Sequence, residues 1–163
     1  DRLQHGPLQH PGGRVMQLRL ATSDDLADIA RLGHLMHQES SFAPLDYDVD
    51  RVKETIGCLI DKNQFVVVVE DTNGDVVGGM AGMVEQSWFG CDMIANDLAL
   101  FLEPKVRGGR LAFRLVAAWI TWAKMAGAKQ IRPGVVSGSR AAEEMYERMG
   151  FQKTGATFCM RGV

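Results

Sequence analysis

The chain has 163 residues, 46% of them hydrophobic and 23% charged, a length and composition suited to one globular domain with a real core. Its formal net charge of −2 excludes a general binder of nucleic acid or of anionic membranes. The longest apolar runs, near 65–69 and 115–120, fall far short of the roughly 20 residues that a membrane span needs.

Residues 1–15 are rich in Gly, Pro, Gln and His and lack both signal-peptide hydrophobicity and periodicity. They read as an upstream extension or a cloning remnant, with Met16 as the natural start and a single domain expected over 16–163. Residues 16–20 alternate as a short strand does. Thr22 or Ser23 then N-caps a helix with Asp24 and Asp25 in its first turn and Leu26, Ile29, Leu32 or Gly33, and Met36 along its apolar stripe. His34 and His37 on that helix have a metal-compatible spacing but no third ligand nearby, and read as ordinary histidines. A loop over 40–48 leads to a second helix over about 49–60, with Val52, Ile56 and Leu59 or Ile60 inward.

The β-branched run 65–69, the Asn73-Gly74 turn and the return over 76–84 predict a hairpin. Gly78, Gly79 and Gly82 in the returning strand mark a bulge or a close approach. A largely apolar strand follows over 93–102, with Leu98, Leu100 and Leu102 on one side and Asp97, Ala99 and Phe101 on the other. Leu111, Leu115, Ala118 or Trp119, Trp122 and Met125 or Ala126 then recur at helical spacing, and Gly127 ends that helix. A strand with an irregularity at Pro133 is expected over 130–136, a last helix over 139–149 with Ala142, Met145, Tyr146 and Met149 on one face, and a closing strand over 154–161. The odd, widely separated Cys58, Cys91 and Cys159, with no CxxC pair, argue against a disulfide framework and for a reducing, cytoplasmic setting in which they are small buried hydrophobes.

The junction Glu103-Pro-Lys-Val-Arg-Gly-Gly-Arg-Leu-Ala-Phe113 joins the apolar strand to the long helix through two adjacent glycines flanked by arginines. A helix start presents unpaired N–H groups and the positive end of the macrodipole, so such a junction is an anion cradle. Arg107 and Arg110 add attraction for phosphate.

Strand, Arg107-Gly-Gly-Arg-Leu-Ala112, long helix, strand, and then Glu143-Glu-Met-Tyr-Glu-Arg-Met-Gly-Phe151 is the order of motifs in the GNAT family of N-acetyltransferases, which this chain resembles from about Met16 to its end; Arg19-Leu-Ala-Thr-Ser-Asp-Asp25 fits its opening. The resemblance implies an α/β (α+β) fold with a mixed, mostly antiparallel central sheet and about four flanking helices. Two parallel strands, 93–102 and 130–136, would splay apart at the cofactor cleft. It further implies acetyl-CoA as co-substrate, no metal, and a primary amine of a small molecule, peptide or protein as acceptor. Backbone groups of Leu100, Phe101 and Leu102 would hold the pantetheine arm like an added strand. The amides of Arg107, Gly108, Gly109, Arg110, Leu111 and Ala112 would hold the pyrophosphate. Arg110 stands where the family usually has glycine, so either its side chain clamps a phosphate or the loop shifts by one residue to let Gly109 make the close approach. Ser139 stands where the family often has asparagine, as a cofactor contact or as an N-cap.

Amine attack on a thioester needs a neutral amine, a stabilised oxyanion and a proton for the departing thiolate. Tyr146 falls on the family's tyrosine position and is the expected general acid, or packs against the long helix. A backbone N–H near Leu100 would meet the oxyanion. Asp97 and Glu85 are the candidate bases acting through water, Asp97 preferred for its place on the strand leading to the thioester. Glu103 beside the cradle is expected to point away. The acceptor pocket is expected from the first two helices, the 40–48 loop and the hairpin end at Gln86, Ser87, Trp88 and Phe89, with Asp46, Asp48 and Asp50 attracting a cationic amine. Trp88 and Phe89 alternatively form an apolar edge for a partner subunit, and a homodimer is implied by resemblance alone. No nucleic-acid or membrane partner is expected. The competing reading is a non-catalytic module of the same fold that binds acyl-CoA or a protein.

Overall fold

The computed structural model describes residues 16–160, so segment 1–15 and Arg161, the end of the expected closing strand, lie outside the described residues. Five strands, β1 (Gln17–Leu20), β2 (Phe65–Glu70), β3 (Val76–Gln86), β4 (Met93–Leu102) and β5 (Ala128–Arg132), form one sheet in chain order. Strands β1 to β4 are antiparallel, and β5 lies parallel to β4. Helices α1 (Leu26–Gln38) and α2 (Val49–Asp61) cover one face, and α3 (Leu111–Met125) and α4 (Arg140–Arg148) the other.

The two-residue period of β2 builds both cores. Phe65, Val67 and Val69 face Leu115, Trp119 and Tyr146, whereas Val66 and Val68 face Ile29, Leu32, Ile56 and Leu59. That is why this strand reads as an unbroken apolar run. Gly82 on β3 is needed for close approach, since a Cβ there would lie 2.6 Å from the indole nitrogen of Trp119, a fully buried side chain. A register shift at Ala81/Gly82 adds the bulge that the strand glycines implied. At the sheet edge, Arg19 fastens β1 to the start of α1 through two bonds to Asp25 (2.8 and 2.9 Å) and one to Glu70 (2.7 Å).

Four expectations need correction. The bulge pairs Ala81 with Ala99 but Gly82 with Asp97, leaving Leu98 without a partner in the ladder. The side-chain alternation of β4 therefore slips by one residue: Asp97 shares the α3 face with Leu100 and Leu102, and Leu98 joins Ala99 and Phe101 on the α1–α2 face. Strand β5 runs over Ala128–Arg132 rather than 130–136, because Pro133 has no N–H to donate and restricts the residue before it. Segment 154–160 forms no strand; it is exposed, with Phe158 and Met160 uncovered. All three cysteines are exposed rather than buried: Cys58 lies off the inward stripe of α2, Cys91 in the β3–β4 loop and Cys159 in the terminal segment.

The alternatives left open along α3 resolve to Trp119 and Val116 in the core, with Met125 turned to solvent. No helix among the described residues is long and apolar enough to cross a membrane.

Candidate active site

Helix α3 starts without a side-chain cap. Its N-cap residue is Arg110, whose carbonyl accepts from Arg114 N–H at 2.9 Å, so the amides of Leu111, Ala112 and Phe113 have no partner within the helix. By contrast, Asp48 caps α2 with bonds to the amides of Asp50 (2.9 Å) and Arg51 (3.0 Å), and Ser139 Oγ accepts from Ala142 N–H at 3.3 Å to cap α4. Gly108 turns the chain into α3 at φ +79°, a conformation that favours glycine, and the space around Gly108 and Gly109 is open. These residues fit a pyrophosphate: free amides, the positive end of a fifteen-residue helix, and room for the anion.

The two arginines of the junction do different things. Arg107 turns inward, donating from Nε to the Leu102 carbonyl (2.9 Å) and from Nη1 to Glu39 (2.8 Å), so it staples the loop to β4 and to the end of α1. The Arg110 side chain makes no hydrogen bond or ion pair among the described residues and is free to meet an anion. Glu103 points away from the cradle, paired with Arg31 and Lys105 at 3.0 Å each.

The parallel pairing of β4 with β5 ends at Asn96 and Arg132, and beyond it the strands part. Past that point Asp97, on β4, lies close enough to Tyr146 for its charge to act on the hydroxyl. Asp97 Oδ1 accepts from Gly134 N–H at 3.0 Å, the polar link that spans the start of the splay. Burial pushes the Asp97 carboxyl up to about 6, despite that backbone donor. Burial, reinforced by the Asp97 charge, holds the Tyr146 hydroxyl well above the usual tyrosine range. Tyr146 itself is held by the α3-face core and by an edge contact to Phe151 at 5.5 Å between ring centroids. The pair thus presents a carboxylate poised near neutrality beside a phenol that stays protonated. Residues 97–102, including Leu100, Phe101 and Leu102, lie on the stretch of β4 whose outer edge has no strand partner among the described residues.

Glu85 stands apart. It is exposed, accepts from Asn96 Nδ2 at 3.0 Å, and lies on the face of the sheet opposite Asp97. Of the acids expected to draw a cationic amine, Asp48 is spent on the α2 cap, and Asp46 and Asp50 are exposed. Trp88 and Phe89 are 93% and 72% exposed at the β3–β4 turn and pack on one another. His34 and His37 both contact Tyr47, and no group that could hold a metal ion occurs among the described residues.

An acceptor pocket was expected from the first two helices, the 40–48 loop and the hairpin end at residues 86–89; the structure has a cavity walled by the two helices, Tyr47 of the loop and β4, without the hairpin end. A cavity of about 220 Å³ lies between α1, α2 and β4, lined by Met36, Val52, Ile56, Leu98 and Phe101 among others, with Arg51 and Thr55 at α2. The slip at Leu98 brings that residue into the wall, and nothing in an apolar β-strand sequence signals such a slip.

A model of the acetyltransferase (GNAT) domain matches residues 61–153, more than half of the chain and the whole of β2 through α4. The chain belongs to the GNAT acetyltransferase family. Solved structures agree with this GNAT fold. An acetyltransferase from Trypanosoma brucei superposes with a TM-score of 0.70 at 18% identity, covering 90% of this chain and 99% of that one. Glucosamine-6-phosphate N-acetyltransferase from Arabidopsis thaliana gives 0.70 at 14% identity over 90% of this chain and 98% of its own. Ribosomal-protein-alanine N-acetyltransferase from Brucella melitensis gives 0.69 at 14% identity over 91% and 100%. At these identities the likeness is one of fold. A comparison with the sequences of curated proteins finds no match.

Proposed function

We propose that this GNAT protein is an acetyl-CoA-dependent N-acetyltransferase acting on a primary amine. The observation that carries this reading is the place of Asp97 where β4 and β5 part, near enough to Tyr146 to act on its hydroxyl, on the strand that leads into the uncapped start of α3. Acetyl-CoA supplies the acetyl group as a thioester. The α3 amides and Arg110 bind its pyrophosphate, and the unpaired edge of β4 at Leu100, Phe101 and Leu102 aligns the pantetheine arm. Asp97 takes the ammonium proton through water, a backbone N–H of β4 near Leu100 meets the charge that develops on the thioester oxygen, and Tyr146 protonates the departing sulfur. A module that only binds would have little use for a half-buried carboxyl, without an ion-pair partner among the described residues, whose charge acts on a phenol. The three free cysteines suit a reducing, cytoplasmic setting.

A thermal melt with and without acetyl-CoA tests the site. At about a hundred times its dissociation constant the ligand stabilises by about 2.7 kcal/mol, a shift of roughly 5–10 °C for a chain of this size. Arg110→Glu abolishes that shift. No shift at millimolar ligand overturns the proposal.

A further inference from the structure

The cavity beside β4 has a chemistry that narrows the acceptor. Its walls are almost wholly apolar: Met36 from α1, Val52 and Ile56 from α2, and Leu98 and Phe101 from β4. No carboxylate lines it, and its one charged lining residue is cationic, Arg51. Arg51 gives Nη1 to Glu54 at 3.0 Å, and its other guanidinium N–H groups have no partner among the described residues. The Tyr47 hydroxyl in the wall is already committed to the Ala30 carbonyl at 2.8 Å.

The cavity also borders the proposed reactive opening. It lies on the α1–α2 face of β4 at Leu98 and Ala99, one residue beyond Asp97, which faces the other side. Pairing between β4 and β5 has stopped by then. The loop after α1 closes over this opening, with Ser41 N–H bonded to the Val136 carbonyl beyond β5 at 2.8 Å. A molecule seated in the cavity is thus held on the side of the thioester away from α3.

We infer that the acceptor is an aromatic or branched aliphatic α-amino acid, its side chain in the cavity, its carboxylate toward Arg51 and its α-amine toward the opening at Asp97. This rests on the N-acetyltransferase reading above. A cavity of about 220 Å³ exceeds the roughly 150 Å³ that admits benzene into an apolar site. A polyamine or a lysine side chain would instead bring a cation into an apolar cavity whose lining holds no carboxylate. In the reaction the α-ammonium gives one proton to Asp97 through water, the freed amine forms a C–N bond to the acetyl carbon, and the C–S bond breaks. The thiolate takes its proton from Tyr146, the second N–H proton of the adduct passes through water to the tyrosinate, and Asp97 returns its proton to solvent, giving the N-acetyl amino acid and CoA thiol.

Two measurements on the full chain test this: calorimetric titration of L-phenylalanine into protein saturated with CoA, and thiol release from acetyl-CoA with L-phenylalanine, 2-phenylethylamine, L-lysine or spermidine. L-phenylalanine binds and is acetylated. Arg51→Gln, at an exposed position, raises its KM by ~10-fold or more, while that for 2-phenylethylamine, which has no carboxylate, moves less than about twofold. Thr55→Trp, which fills the cavity, raises both by ~10-fold or more and keeps the acetyl-CoA thermal shift. Turnover of lysine or spermidine without binding or turnover of phenylalanine overturns this acceptor class and leaves acetyl transfer standing. Phenylalanine binding that Arg51→Gln weakens, without thiol release from any amine, supports the site and overturns the N-acetyltransferase reading. Absence of both binding and turnover of phenylalanine overturns the inference outright.

Discussion

Helices α3 and α4 both begin just after a glycine with positive φ, Gly108 at +79° and Gly138 at +65°, yet they present opposite chemistry. Ser139 closes the start of α4 and leaves that helix to offer a side chain, Tyr146, from its inner face. Arg110 leaves the start of α3 open, so that this helix offers its backbone. A missing cap costs a helix about 1 kcal/mol. Where one helix of a pair carries that cost and its neighbour does not, the open end is the one suited to a ligand, and an anion restores the lost interactions. On the proposed reading, the site is divided between a backbone helix that binds and a side-chain helix that reacts.

The sharpest way to break this division is to remove the one hydroxyl that α4 contributes. Tyr146→Phe keeps the ring in its core contacts and lowers kcat by ~10²- to 10⁴-fold, while the acetyl-CoA thermal shift stays intact. Steady-state thiol release beside a melting curve separates the two quantities. An unchanged kcat would reduce Tyr146 to a packing residue. The reciprocal change acts on α3. Arg110→Asp stands at the N-cap itself and places a carboxylate where the pyrophosphate is to sit. It supplies the absent cap, raising the stability of the ligand-free protein by about 1 kcal/mol, and weakens acetyl-CoA by ~100-fold or more through charge repulsion in the cradle. A variant both more stable and unable to bind is the result expected only if the open helix start is the binding site.

Backbone features with local causes were legible in the sequence. The Asn73-Gly74 turn, the Gly127 stop and the Ser139 cap all act through neighbouring residues, and all stand where the sequence placed them. Long-range features were less so. The slip at Leu98 depends on how β3 pairs with β4 and swaps the faces of Asp97 and Leu98, which no periodicity within β4 reveals. Arg107 read as a phosphate contact by its position, but its side chain is drawn to the Leu102 carbonyl and to Glu39, 68 residues away in sequence. Asp97 could be picked from its strand but not its burial, and burial is what sets its chemistry.

That burial yields a third, smaller test, on the reacting side of the division. Because the folded-state pKa of Asp97, about 6, lies above the ordinary aspartate range, the protonated form is favoured in the fold. Its contribution is most favourable below the unfolded pKa and is lost as pH rises through 6. A shift of about two units corresponds to about 3 kcal/mol at neutral pH. Asp97→Asn retains Oδ1 as acceptor for the Gly134 N–H and removes the buried charge, so it raises stability by up to that amount at pH 7–8 and by little at pH 4. If Asp97 is also the base, the variant loses acetyl transfer, and the wild-type rate falls as pH drops through about 6. Denaturant melts and rate profiles across pH 4–8 read both; a variant more stable but fully active would assign Asp97 to structure alone.

The smallest expected effect comes from opening α4 as α3 is open. Ser139→Ala removes the bond to Ala142 N–H and costs about 1 kcal/mol, a fall in Tm of roughly 2–4 °C for a chain of this size. If Ser139 serves only the helix, the acetyl-CoA affinity stays within about twofold and kcat follows the stability of α4, because Tyr146 sits two turns further on and is also held by Phe151. If affinity falls ~10-fold instead, a loss of the size expected for a hydrogen bond to a charged group, Ser139 contacts the coenzyme as well. The two helix starts would then share the ligand, and the separation between binding and reacting helices would hold for the pyrophosphate but not for the rest of the molecule.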